Sequence, residues 1–161
     1  MHLLRHEGLD FLKSAPLLLQ FEAHVKAPRA KVFAEVSADP CTWTWFPGLT
    51  GGNYEGDGTP GLGSVRQVQM GDVIYRETIL AWDAPNRWAY RVDEASVDFL
   101  DALVEDWRFS DATDGTRVTW AFAAAPKGSL MSDKAGASTI VGTMFRDAMS
   151  GLQEHVLDRP S

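Results

Sequence analysis

Hydrophobic and polar positions alternate with a period of two over most of the chain and switch to a helical period only near its end. Leu17, Leu19, Phe21, Ala23 and Val25 alternate with Gln20, Glu22, His24 and Lys26, which predicts a strand over residues 17–27 with one buried and one wet face. Two further runs, Ser64–Met70 and Val73–Trp82, are separated by Gly71-Asp72. Such a two-residue loop predicts a tight hairpin, because glycine accepts the positive φ these turns require. Its register follows: Met70 opposite Val73, Val68 opposite Tyr75, Arg66 opposite Glu77 and Ser64 opposite Ile79. Those residues share one face, the more apolar one, yet it carries a charged cross-strand pair, Arg66 and Glu77. Gln67, Gln69, Arg76, Thr78 and Trp82 take the other face.

Between the first strand and the hairpin, Pro28 and the stripe Val32, Phe33, Val36 predict a short helix. Asp39-Pro40 reads as an N-cap and first helical position. It opens a second short helix carrying Trp43, Trp45 and Phe46 and stopped by Pro47-Gly48. Residues 49–63 form a Gly-rich connection with a brief strand near Asn53-Tyr54-Glu55. After a turn at Asp83-Ala84-Pro85-Asn86, Trp88, Tyr90 and Val92 alternate on one strand. Leu103, Glu105, Trp107 and Phe109 share a face of the next, with Asp101 beside them unless a bulge intervenes. Val118, Trp120 and Phe122 alternate on the last. Residues 138–157 then carry a wide apolar stripe, Ile140, Val141, Met144, Phe145, Ala148, Met149, Leu152 and Val156, suited to cover a sheet. Residues 1–16 predict a short helix ended by Pro16, an extension to a single domain over residues 17–158.

A chain of 161 residues is long enough for one domain with a substantial core. The net charge of −7, with no Lys/Arg cluster, argues against nucleic acid or an anionic membrane surface as partner. Cys41 is the only cysteine, so no internal disulfide is possible. The first residues show no signal-peptide pattern, and no run reaches the roughly 18 apolar residues of a membrane span. A cytoplasmic protein without stable membrane insertion, monomeric or homodimeric, is the expectation.

Several motifs carry no chemistry. Gly56–Gly61 matches G-x-G-x-x-G, but a strand follows it and Pro60 interrupts it, so it reads as a turn and not as a dinucleotide site. His2 and His6 are spaced for a metal on a helix but lack a third ligand. His24 faces solvent, and His155 sits where a helix dipole favours a cation. Cys41 has no neighbouring histidine, and neither a G-x-S-x-G elbow nor H-E-x-x-H is present. No metal and no cofactor is expected.

The order of elements, with Phe21-Glu22-Ala23-His24-Val25-Lys26-Ala27-Pro28, Lys31-Val32-Phe33, Trp45-Phe46-Pro47-Gly48, Gly63-Ser64-Val65-Arg66, Arg76-Glu77, Gly115–Trp120 and Gly151-Leu152, resembles the helix-grip (START/SRPBCC-like) superfamily. Within it, the chain is most similar to the polyketide cyclase/dehydrase and lipid-transport branch. The resemblance covers about residues 17–157. It implies an α+β helix-grip fold: a curved antiparallel sheet of six to seven strands wrapped around the long C-terminal helix, with two short helices after the first strand. It also implies a cavity for a small hydrophobic molecule, which some members bind or carry and others cyclise, aromatise or dehydrate. Fold alone does not decide between these.

The register places Val68, Tyr75, Trp88, Tyr90 and Trp107 on the sheet wall of such a cavity. Met144 and Phe145 face them from the helix, and Trp45 and Phe46 sit at one end. Arg66 and Glu77 are the sharper candidates. Inside a cavity, Arg66 would hold a carbonyl or enolate oxygen, Glu77 would act as a base and Tyr75 would donate a hydrogen bond. At a wet cavity mouth, the same pair would have no chemistry. Glu105 is a further acidic candidate. Three functions stay open: a binder of a small aromatic, polyketide-like or lipid-like molecule; a cyclase, aromatase or dehydratase using the same cavity; and a protein-interaction module with a filled cavity.

Overall fold

The computed structural model describes residues 1–129 and 133–158. In chain order the elements are β1 (His2–Leu3), α1 (Phe11–Ser14), β2 (Leu17–Val25), α2 (Arg29–Val36), a 3-10 turn (Pro40–Thr42), β3 (Leu49–Tyr54), β4 (Val65–Met70), β5 (Val73–Asp83), β6 (Arg87–Ala95), β7 (Leu100–Ala112), β8 (Gly115–Pro126) and α3 (Lys134–Asp158). The strands form one antiparallel sheet in the order β2-β8-β7-β6-β5-β4-β3, with β1 added against β6. The sheet curves, and α3 lies across its hollow face.

The β4–β5 hairpin has the register its turn dictates. Gly71 adopts φ +58°, Met70 pairs with Val73, and Arg66 pairs with Glu77. The β7–β8 hairpin is closed by Thr113 and Asp114, which puts Glu105 opposite Phe122 and Trp107 opposite Trp120. A register shift between Leu100 and Ala102 turns Asp101 off the inner face, and its carboxylate meets Lys127 at 3.5 Å.

Three local expectations need correction. Residues 1–16 are helical only over Phe11–Ser14. Leu3 pairs with Glu94 instead, and Phe11 buries itself on the convex face against Ala102, Val104, Ala123 and Ala125. Small side chains there leave room for a ring, so this segment is part of the domain's packing. The first part of the Gly-rich connection is a six-residue strand, β3, which is longer and starts earlier than the brief one expected near Asn53-Tyr54-Glu55. Gly52 sits beside a β-bulge at φ +144°, where a Cβ would come within 2.4 Å of the Gln67 carbonyl, so glycine is required at that position. The second short helix is only the 3-10 turn at Pro40–Thr42, capped by Asp39, and Trp43, Trp45 and Phe46 follow it in a bent, non-helical segment.

The buried face of α3 is Ala137, Val141, Phe145, Ala148, Met149, Leu152 and Val156. Phe145 lies 5.6 Å from the rings of Phe21 and Trp120, and Trp107 stacks on Trp120 at 5.2 Å. These rings fill one half of the concave interior. The other half, toward β4 and β5, is hollow. His155 does more than meet a dipole: its Nε2 lies 2.9 Å from Glu35 Oε2, which ties the end of α3 to α2.

Candidate functional site

The hollow is a cavity of about 400 Å³ between the sheet and the first half of α3. Its deep end is formed by Arg66, Glu77, Tyr90, Glu105 and Trp120, each buried. Met70, Leu49, Phe99, Met144 and the exposed Ile140 line its outer end, which is apolar and open. The polar groups thus lie at the bottom of a greasy funnel.

Arg66 reaches the interior because the hairpin register points it inward, and its side chain is 1% exposed. Its Nε donates to Glu77 Oε2 at 2.6 Å. Its guanidinium carbon lies 4.6 Å from the ring centre of Trp88, 4.7 Å from that of Tyr90 and 5.1 Å from that of Trp43. Ring faces attract a desolvated cation by up to about 2 kcal/mol each, which offsets part of the cost of burying it. The pair therefore lies deep, and the placement at a wet mouth is excluded. Nη1 of Arg66 and the indole nitrogen of Trp43 are buried without a hydrogen-bond partner among the described residues.

The ionisation of this cluster follows from burial. Burial pulls the Arg66 guanidinium down, but the charge and hydrogen bond of Glu77, together with Tyr90 and Tyr54, outweigh it and the guanidinium is held protonated. Burial pushes Glu77 above the usual carboxylate range against the opposing pull of Arg66. Glu105 has no cation at ion-pair distance among the described residues. Burial and the charge of Glu77 push it up to about 8, with the Tyr90 hydroxyl pulling the other way. Tyr75 is pushed up to about 12 by burial and by Glu105 and Glu77, so its hydroxyl is a donor throughout the physiological range.

Of the residues expected at the site, Phe46, Arg66, Val68, Tyr75, Glu77, Tyr90 and Met144 line the cavity. Trp45, Trp88, Trp107 and Phe145 do not. Trp88 is fully buried beneath Arg66, and Trp107 and Phe145 belong to the filled half. Trp45 packs on Trp43 at 4.8 Å, under Gly151 of α3. Trp43, Phe99, Leu103, Trp120 and Phe122 line the wall without having been expected there. The signal for Trp120 and Phe122 was available: closing the β7–β8 hairpin on two residues sets them beside Glu105. No group of three or more His, Cys, Asp or Glu among the described residues is placed to hold a metal, and His6 instead lies 3.5 Å from Asp93.

A curved sheet gripping a long helix, with an apolar hollow between them, defines a helix-grip protein. The chain belongs to the polyketide cyclase / dehydrase and lipid transport family, whose model matches residues 18–157. Its structure is similar to the crystal structure of Ara h 8.0201, at 18% identity and TM-score 0.68 over 88% of this chain and 98% of that one. It is also similar to the di-domain ARO/CYC BexL from the BE-7585A biosynthetic pathway, at 15% identity and TM-score 0.71, covering 94% of this chain and 54% of BexL. A START superfamily protein from Mycobacterium smegmatis superposes with TM-score 0.69 at 12% identity, over 86% of this chain and 96% of that one. At these identities the likeness is one of fold. A search of curated proteins gives no match. Among the described residues no helix is long and apolar enough to cross a membrane.

Proposed function

We propose that the protein binds a small, flat, apolar molecule, aromatic, polyketide-like or lipid-like, in the hollow beneath α3. One observation carries this reading: a hollow lined mainly by aromatic and aliphatic side chains carries a small set of polar groups, Arg66, Tyr75, Glu77, Tyr90 and Glu105, on one wall. A ligand oxygen accepting from the Tyr75 hydroxyl gains about 0.5–1.5 kcal/mol, the net worth of a neutral hydrogen bond. The volume of about 400 Å³ suits a two- or three-ring molecule. Titrating tryptophan fluorescence with quinones, flavonoids, sterols and aromatic polyketides tests it. Saturable quenching is expected, lost in Val68→Trp, which fills the hollow. The absence of a saturable response to every class would overturn it.

A second reading is favoured by the two buried carboxyl groups beside that guanidinium. In it the protein is a cyclase, aromatase or dehydratase: Arg66 holds a developing enolate oxygen, and Glu77 or Tyr75 moves the proton. Glu77→Gln or Tyr75→Phe should then slow turnover of a bound polyketide-like substrate by about a hundredfold or more, the lower end for acid–base catalysis. Parent-like turnover in both variants would remove this reading.

A further inference from the structure

The hollow holds two carboxyl groups and one guanidinium. Arg66 is already engaged by Glu77 at 2.6 Å and enclosed by three rings. Glu105 is the acid left over, 7% exposed and on the same wall. Tyr90 faces it from β6, Tyr75 and Glu77 from β5, Arg66 from β4, and Trp120 and Phe122 from β8. From α3 the cavity receives only Ala137, Ile140, Val141 and Met144, none of them charged. A ligand carboxylate placed here would meet two acids and a cation already neutralised. A second charge of the same sign in an apolar enclosure is strongly disfavoured.

The hydroxyls on its wall point the same way. Tyr75 and Tyr90 line the hollow, and burial keeps both hydroxyls protonated, so both are donors. A ligand that brings another donor leaves them unmatched, whereas one that brings neutral oxygens matches them. Resting on the binding function proposed above, we propose that Glu105 is the specificity-determining residue of the cavity: its protonated carboxyl donates to a ketone or quinone oxygen, and the same group rejects ligand carboxylates. The site therefore takes neutral carbonyl-bearing aromatics and excludes free fatty acids and aromatic acids. The burial that pushes Glu105 up to about 8 keeps the proton in place at neutral pH.

Three probes sharing one bicyclic ring test this: 2-acetonaphthone, 2-naphthoate and 2-naphthylmethylammonium. Affinities are read by tryptophan quenching and calorimetry at pH 6.5 and 9.5. The ketone should bind at pH 6.5 with naphthoate at least tenfold weaker. Ketone affinity should drop about tenfold or more by pH 9.5, as the protonated fraction falls. Glu105→Gln, neutral at both values and still a donor, should hold the ketone equally at both and admit naphthoate more readily. Naphthoate matching the ketone, the ammonium probe binding tightest, or a pH profile unchanged in Glu105→Gln would each overturn the assignment while leaving the cavity a binding site. If none of the three binds, the binding function itself fails for flat aromatics, and the assignment with it. Should Glu105→Gln not fold, the ranking of probes on the parent protein decides.

Discussion

Arg66 lies over Trp88, with its guanidinium carbon 4.6 Å from the indole ring centre, while the same side chain bonds Glu77 at 2.6 Å. Indole and carboxylate together stabilise a cation that water has been excluded from. Removing the cation alone is then costly. Arg66→Ala should lose about 3–5 kcal/mol in urea unfolding at pH 7, because it strands the Glu77 carboxylate. The double replacement Arg66→Met with Glu77→Leu removes both charges at similar volume and should recover most of that loss. If the double variant is as unstable as the single one, the ring contacts and not the ion pair hold this region.

Glu105 gives stability a pH dependence of definite sign. In the folded protein it keeps its proton up to about pH 8, while in the unfolded chain it loses it in the ordinary carboxylate range. Between those limits the folded state binds more protons, so stability falls as pH rises, by at most about 1.4 kcal/mol per unit, and levels off above the folded value. Glu105→Gln lacks this slope. Urea midpoints at pH 5, 6.5 and 8 should show the variant gaining steadily on the parent, and a constant gap would contradict the burial argument.

Gly151 marks where α3 comes closest to the chain behind the 3-10 turn. A Cβ there would stand 2.5 Å from the Trp45 carbonyl oxygen, a backbone atom that cannot swing aside. In an exposed helix Gly→Ala gains about 1 kcal/mol. Here the clash should outweigh that gain and leave Gly151→Ala about 1–3 kcal/mol less stable, the usual cost of overpacking. A thermal melt above that of the parent would show that the segment can retreat.

Much of this architecture was legible because its signals are local. The Gly71-Asp72 turn fixes the β4–β5 register, and that register alone points Arg66 and Glu77 inward. The α3 stripe follows from a period of 3.6. What escaped depends on partners distant in sequence. The division of the interior into a filled and a hollow half is set by Phe21, Trp107, Trp120 and Phe145 converging from three strands and a helix. Nothing local separates Trp107, which is packed solid, from Tyr90, which faces the cavity. Likewise β3 hides behind Gly51-Gly52, whose low strand propensity is overridden by a bulge that only glycine fits. The first sixteen residues mislead for a related reason: Leu3 and Leu4 look like a helical stripe, but the free edge of β6 at Glu94 and Ala95 offers them a strand partner.

That N-terminal strap yields the last prediction. Phe11, 5% exposed, seals Ala102, Val104, Ala123 and Ala125 on the convex face of the sheet, away from the cavity. Phe11→Ala should therefore cost about 3 kcal/mol or more of stability, the range for a buried ring removed without collapse of its site. The ligand-binding midpoint in the tryptophan titration should stay within a factor of two, because no strap residue lines the hollow. Deleting residues 1–14 goes further: it bares the small-residue patch and frees the end of β6, and an unpaired sheet edge invites association. The truncated chain should elute as larger species in size-exclusion chromatography at high concentration. A truncated chain that stays at the parent's elution volume but loses ligand affinity would instead make the strap part of the binding machinery.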